Sequence, residues 1–380
     1  MELRPGLSER WLDCQLSDIG VFTKGKGIRK DEVVPYGTPC VRYGEIYTHY
    51  NDYIREFRSF IPDEVALESC RIMRGDLLFA GSGETAEDIG KCVAFLGEEE
   101  AYAGGDIVIF TPYGQDSMYL GYLMNHSSIT CQKARMAQGD AVVHISAANL
   151  GQLQLSLPPL SEQRAIASAL SDVDALISSL DKLIAKKRDV KQAAMQQLLT
   201  GRRRLPGFGG NWEHASLGSL VRVVGGGTPK TDVAEYWDGR IGWCTPSDVT
   251  ACRGKYLSAT ARTITQQGLR ASAAQLLPIG ALLLCSRATI GEVRIAAIET
   301  CTNQGFKSLV CGDRVNNEYL YYAILMMKPR MVEKASGSTF LELSKKDAES
   351  LELYLPPFDE QVAIASVLSD MDAEIEALER

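Results

Sequence analysis

From Leu160 to about Thr200, apolar residues return with a seven-residue step. Ile166, Val173, Leu180 and Ala194 form one row, and Ala169, Leu176, Leu183 and Val190 a second. Leu170, Ile177, Ile184 and Leu198 form a third row beside them. This stripe predicts an amphipathic helix whose apolar face is wider than a two-stranded seam. Asp172, Asp181, Lys182, Lys186 and Arg188 take the other faces. At 1.5 Å per residue the helix runs for about 60 Å. Pro158 and Pro159 cannot continue a helix but suit its opening. Ser161 and the acid behind it suit the positive helix start. Gly201 is placed to stop the helix, with Pro206 beyond it.

The pattern then recurs. LSLPPLSEQRAIASALSDVDALISSLDK, from Leu155, returns as LYLPPFDEQVAIASVLSDMDAEIEALER, from Leu353 to Arg380, with roughly three positions in five identical. Pro158 matches Pro356, Glu162 matches Glu360 and Asp174 matches Asp372. The second copy carries the rows in Ile364, Met371 and Leu378, with Val367, Leu368 and Ile375, and stops about twenty residues short of the first. One such helix alone reads as the stalk of a homodimer. Two like helices separated by a domain predict antiparallel packing within one chain, about a pseudo-two-fold axis.

The segments before each helix run in parallel. Trp11 pairs with Trp212 and Leu16 with Leu217. A Gly-rich turn follows each, Lys24-Gly-Lys-Gly-Ile-Arg-Lys30 and Gly225-Gly-Gly-Thr-Pro-Lys230. Gly75-Asp-Leu-Leu-Phe-Ala and Gly280-Ala-Leu-Leu-Leu-Cys read as turns feeding buried strands. Gly105-Asp-Ile-Val-Ile-Phe and Asn303-Gln-Gly-Phe-Lys-Ser-Leu read as loops entering strands. One helix is expected from Tyr119 to about Arg135, and another from Tyr319 to about Ala335. Gly139-Asp-Ala-Val-Val-His-Ile-Ser and Gly337-Ser-Thr-Phe-Leu-Glu-Leu-Ser then lead into the Leu-Pro-Pro stretches. The expected fold is mixed α+β, with globular domains at 1–157 and 205–355, a central helix and linker at 158–204 and a short distal helix at 356–380. The helices agree closely and the globular parts only at scaffold points, which implies one fold with two different surfaces.

At 380 residues the chain suits two domains of ordinary size. Mean hydropathy is −0.08, and no apolar run approaches the ~20 residues of a membrane span. The sequence MELRPGLSERWLDCQL has no signal-peptide core. The ten cysteines are scattered singly, which points to a reduced, cytoplasmic compartment and away from a zinc site. Net charge is −8, unfavourable for a freestanding nucleic-acid binder. It is unevenly spread: −8 over 1–157, +4 over 158–204, +2 over 205–355 and −6 over 356–380. DNA binding by such a chain needs local basic surfaces, basic partner subunits, or both.

Catalytic constellations are missing from the sequence. There is no P-loop and no nucleophile elbow. Gly81-Ser-Gly-Glu resembles a phosphate loop only loosely. His49, His126, His144 and His214 have no metal-ligand spacing, and a lone histidine such as His144 is more often a satisfied loop or core residue than a catalyst. The Asn/Asp-Pro-Pro-Tyr/Phe motif of adenine methyltransferases is also missing. The loops suit contact better than reaction. Lys24, Lys26, Arg29 and Lys30 read as a flexible basic turn, with Thr228 and Lys230 in the matching place; a solvated hairpin is the plainer account. Arg287, Asn303, Gln304 and Lys307 have the chemistry to read base edges or phosphates, Arg suiting guanine and Asn or Gln suiting adenine. Asn303 and Gln304 equally suit the capping of a turn.

LPPLSEQRAIA…LLTGRRRLPGF, its copy LPPFDEQVAIA, and the TNQGF and GSTF…LS signatures resemble the specificity (S) subunit of Type I restriction-modification systems. The resemblance covers essentially the whole chain, and its two Leu-Pro-Pro…Glu-Gln helices are the specific part. It implies two target-recognition domains, each reading half of a split, asymmetric DNA site, and no catalysis by this chain. It implies an antiparallel coiled coil that spaces the domains and docks two modification (M) subunits, with Ile166, Val173, Leu180, Leu183, Ile364, Met371 and Leu378 as the seam and docking residues. The M subunits would carry the S-adenosylmethionine chemistry, so this chain needs no cofactor or metal, and restriction subunits would add translocation and cleavage. The sequence departs from the pattern in its shorter distal helix and in Gly104-Gly-Asp-Ile-Val, which stands in place of TNQGF. A duplicated coiled-coil scaffold that binds only proteins is the alternative from another class.

Overall fold

The computed structural model describes residues 11–139, 141–337 and 341–380. Asp140, in the Gly139 to Ser146 stretch, and residues 338–340 of the GSTF signature lie outside the described residues, as do residues 1–10. The chain forms two compact units, 1–177 and 178–380.

The units repeat one fold, a five-stranded sheet whose strand order is the same in both. In the first unit the order is Gly20–Lys24, Ile107–Pro112, Leu77–Ala80, Cys92–Phe95, Tyr53–Ile54. In the second it is Val221–Gly225, Lys307–Cys311, Leu282–Leu284, Val293–Ala296, Tyr256–Leu257. In both, three antiparallel pairings are followed by one parallel pairing at the edge. Leu77–Ala80 and Leu282–Leu284 are buried throughout, as expected of central strands covered on both faces. A second sheet also matches. Thr38–Val41 lies between Ser59–Ile61 and Ala101–Ala103, antiparallel to one and parallel to the other. Trp237–Cys244 lies the same way between Arg262–Ile264 and Thr300–Thr302.

A short antiparallel ribbon closes each unit. Leu12–Gln15 pairs with Gln154–Leu157, and Glu213–Ser216 with Glu352–Leu355. The second strand of each ribbon leads into Pro-Pro and then a helix, Leu160–Leu198 or Phe358–Leu378. Gly201 ends the longer helix at φ +69, the left-handed conformation that favours glycine.

One expectation needs correction. Tyr119 to Arg135 is two helices, Ser117–Asn125 and Ser127–Arg135, whereas Asn317–Lys334 is continuous. The break is at His126, in extended conformation. The Asn125 side chain receives a hydrogen bond from the Cys92 backbone N–H at 3.0 Å and donates to the Cys92 carbonyl at 2.7 Å and to Asp52 at 2.8 Å. It fastens the end of the first helix to the first residue of the strand Cys92–Phe95, and the chain restarts from there.

Candidate nucleic-acid interface

The conserved spacing of Gln163 and Gln361 within the two repeats has a tertiary cause. Each is buried and joins its helix to the unit before it. Gln163 accepts from the Asp116 backbone N–H at 3.0 Å and donates to the Pro158 carbonyl at 2.9 Å. Gln361 accepts from the Asn316 N–H at 2.8 Å and donates to the Pro356 carbonyl at 2.9 Å. Asp116 and Asn316 are themselves the N-caps of the helices beginning at Ser117 and Asn317. About three turns further along each repeat helix the pattern recurs. Tyr122 donates to Asp174 at 2.5 Å, and Tyr322 to Asp372 at 2.7 Å.

In the second unit the distal helix runs antiparallel to the end of the central one. Lys187 pairs with Glu374 at 2.5 Å, Lys191 with Asp372, and Arg204 with Glu360 at 2.5 Å, so partner numbers fall as residue numbers rise. Arg188 reaches Glu379 at 2.6 Å. Glu360 is fully buried and also accepts from the Trp212 indole N–H at 3.1 Å. The +4 central segment and the −6 distal segment are thus partners, a signal present in the charge distribution but not read as pairing. Ile364 is buried and Met371 half-buried in one core with Leu198, Leu199, Tyr319 and Tyr322. Leu378 and Leu180 are half-buried. Ile166 packs on the core of the first unit. Val173, Leu176, Ile177, Leu183 and Val190 are exposed, Val173, Leu176 and Ile177 by more than half.

Five of the recognition candidates of the second unit, Thr228, Arg287, Asn303, Gln304 and Lys307, come together around Gly305. The Ser286 N–H donates to the Gly305 carbonyl at 2.7 Å, which places Arg287 beside the Asn303-Gln304 turn. Asn303 Oδ1 accepts from the Gly305 N–H at 2.8 Å, so this side chain caps its turn. Gln304 is exposed and accepts from the Thr228 hydroxyl at 2.6 Å. Lys230 is exposed, and its carbonyl accepts from Trp237 Nε1 at 3.0 Å. Glu342 was not anticipated from sequence. Its carboxylate holds Arg287 at 2.6 Å and Lys307 at 2.9 Å. The hydrogen bond from Arg287, and then Lys307, hold its carboxyl below the usual glutamate range although burial opposes them. Arg287 keeps an exposed side chain while its direction is fixed.

In the first unit Lys24, Lys26, Arg29 and Lys30 are all exposed. Their turn is fastened rather than free. Ile28 between them is buried with Cys40, Ile61 and Ala66, at φ +58. The Lys26 N–H donates to the Ala103 carbonyl at 3.2 Å, and Gly25 lies so close to the Gly104 carbonyl that a Cβ would sit 2.0 Å from it. Asp106 and Ala288, at φ +61 and +58, are further non-glycine residues in the left-handed region, and both lie in these loops. Such strain persists where the surroundings over-determine it, commonly at binding sites.

Backbone pairing aligns the two sets. The Gly81 N–H donates to the Asp106 carbonyl as Ser286 does to Gly305, both at 2.7 Å. Lys24 opposes Val108 as Gly225 opposes Lys307. Each unit therefore has one lysine on this cross-strand pair, but on opposite strands. Gly104-Gly105 stands where the second unit has Asn303-Gln304.

No group of His, Cys, Asp and Glu able to hold a metal is found among the described residues. No helix among them is long and apolar enough to cross a membrane. The family model for the Type I restriction modification DNA specificity domain matches residues 8–187 and again 209–380. The chain belongs to that family. Among similar specificity-family proteins is the Type I restriction enzyme MjaIX specificity subunit of Methanocaldococcus jannaschii, 38% identical over 168 residues; the match covers 44% of this chain and 39% of that protein. The putative type I restriction enzyme MjaX specificity subunit of the same organism is 26% identical over 97% of this chain and 88% of its own length. The crystal structure of a Type I S subunit from M. genitalium aligns with TM-score 0.60 at 15% identity, over 100% of this chain and 93% of that one. The HsdS subunit of Thermoanaerobacter tengcongensis aligns with TM-score 0.52 at 18% identity, over 98% and 91%. At those identities the structural likenesses establish the specificity-family fold.

Proposed function

We propose that this chain is the DNA-specificity subunit of a Type I restriction-modification complex, located in the cytoplasm. Each globular domain, 1–157 and 205–355, reads one half of a bipartite, asymmetric DNA site. The first unit does so through the loops of Lys24, Lys26, Arg29 and Lys30. The second uses those of Thr228, Lys230, Arg287, Asn303, Gln304 and Lys307. The helices at 158–204 and 356–380 set the spacer and dock two modification subunits, which bring S-adenosylmethionine and the methyl-transfer chemistry; restriction subunits complete the assembly. The chain itself performs recognition and no reaction.

One observation carries this reading: two copies of one scaffold present different side chains at the same backbone positions. A duplicated reader of one sequence would keep those side chains; a reader of two different half-sites must change them. The net charge of −8 fits a chain whose DNA affinity draws on its partners. The exposed apolar side chains of Val173, Leu176, Ile177 and Leu183 fit a docking face for them. The test is to assemble the chain with the modification subunits of its own system, expose mixed-sequence DNA, and sequence the methylated positions. The expected motif has two unlike half-sites around a spacer of fixed length. Binding to the partner subunits with no sequence preference in methylation would instead favour the protein-only scaffold.

A further inference from the structure

The two units differ most tellingly where the loops of Ser82 and Arg287 meet the hairpins of His144 and Glu342. In the first unit Ser82–Gly83 pairs antiparallel with Val143–His144, placing His144 opposite Ser82. In the second unit Arg287 bridges Glu342. The surrounding hydrogen bonds show that these are the same positions. The Ile145 N–H donates to the Gly81 carbonyl, and the Leu343 N–H to the Ser286 carbonyl, each at 3.0 Å. Gln138 and His144 exchange both backbone hydrogen bonds, as Ser336 and Glu342 do. Ser82 thus corresponds to Arg287, and His144 to Glu342.

The side chains repeat a division of labour with the strands exchanged. In the second unit the exposed cation, Arg287, is on the loop, and the half-buried Glu342 on the hairpin orients it. In the first unit the exposed ring, His144, is on the hairpin. Ser82, 5% exposed, is on the loop and holds His144 Nδ1 at 2.9 Å. The same exchange relates Lys24 to Lys307, so a second cross-strand pair shows it. With Nδ1 engaged by Ser82, the Nε2 atom of an exposed imidazole is the edge left to meet a ligand. The backbone beneath is a paired ribbon, which fixes the ring better than a loop does. A groove of about 520 Å³ opens at Ser82, the partner of His144, and is lined also by Tyr43, Tyr47, Glu84, Asp88 and Val142. Tyr43 and Val142 are exposed there, apolar surface of the kind that meets a thymine methyl group.

We propose that His144, oriented by Ser82, reads a base edge of the first half-site from the position that Glu342 and Arg287 occupy in the second unit. His144 is the specificity-determining residue and Ser82 a positioning residue. This rests on the reading that each unit recognises its own half-site. The complex of this chain with its modification subunits is assembled with His144→Ala, His144→Gln, Ser82→Ala, and Ser82→Arg combined with His144→Glu. Methylated motifs are read on mixed-sequence DNA. His144→Ala is expected to lower discrimination at one base position of one half-site by about tenfold. Ser82→Ala is expected to relax the same position by less, and the double exchange to change the base preferred there. The other half-site stays as in the wild type in every variant. A His144→Ala complex that methylates with both half-sites unaltered overturns the proposal. If that variant fails to assemble, His144→Gln is read by the same criterion. A wild-type motif without two half-sites would instead refute the underlying reading, so the two failures are distinct.

Discussion

Gln361 accepts a hydrogen bond from the backbone N–H of Asn316 at 2.8 Å, which ties the first turn of the distal helix to the cap of the helix before it. Gln361 is buried, and its amide also donates to the Arg314 and Pro356 carbonyls. Gln361→Ala would leave one buried and two part-buried backbone groups without this partner, and a cost of about 2–4 kcal/mol is expected. Gln163 makes two matching backbone bonds, to the Asp116 N–H and the Pro158 carbonyl, and donates to the Gln115 side chain in place of the third, so Gln163→Ala should cost a similar or slightly smaller amount. Chemical denaturation of each variant checks this; stability unchanged in both would show that the clamp adds nothing.

Lys133 is fully buried in the first unit, and its ammonium donates to the Gly90 carbonyl at 2.6 Å. Burial lowers its pKa to about 8. An unfolded lysine titrates near 10.4, so between these values the unfolded chain holds the extra proton and stability rises with pH. Below pH 8 the whole penalty is present. Lys133→Met should therefore stabilise the protein at pH 7 by about 1–2 kcal/mol, after allowing for the lost hydrogen bond to Gly90. The advantage should shrink towards pH 10. Urea melts across that range measure it, and a gain that grew with pH would contradict the sign.

The exposed row on the central helix separates docking from folding. Leu176→Asp should change the stability of the chain alone by no more than about 0.5 kcal/mol, because Leu176 is 59% exposed. It should nonetheless weaken assembly with the modification subunits. Leu368→Asp, at a buried site in the core of the second unit, should cost several kcal/mol and abolish folding first. Titration of purified modification subunit against each variant decides this; undiminished binding by Leu176→Asp places the docking face elsewhere.

Much of the fold was legible because it is written locally. The seven-residue rows and Pro-Pro openings placed both repeat helices, and Gly201 placed the end of the first. The buried strands after Gly75 and Gly280 followed from their apolar runs. What escaped was written across the chain. The break at His126 depends on Asn125 finding Cys92, 33 residues earlier. Glu342 stands in a weak signature, and only the hairpin brings its carboxylate between Arg287 and Lys307. Ser82 and His144, 62 residues apart, form a pair only through the same hairpin in the first unit. The clamp glutamines were visible as repeated letters, but their partners lie some 45 to 48 residues away. The basic turn at Lys24 looked flexible because nothing local shows that Ile28 is buried.

Spacer length offers a test of the helices as a ruler. One added turn lengthens a helix by about 5.4 Å, against a rise of about 3.4 Å per base pair. Four residues inserted after Asp181 should therefore lengthen the spacer by one or two base pairs while leaving both half-site sequences alone. Four residues also rotate the helix by about 40° beyond a full turn, so some loss of activity is expected. The methylated motif of the insertion variant reports the spacer. An unchanged spacer with full activity would falsify the ruler and leave the helices as docking surface only.

The central claim is that two copies of one scaffold read two different half-sites independently. The most direct measurement replaces residues 205–355 with the equivalent segment of another specificity-family protein, assembles the complex, and sequences the methylated motif. One half-site should change to a new sequence, while the other half-site remains that of the parent chain. A motif in which both half-sites change together, or in which neither changes, would contradict the account.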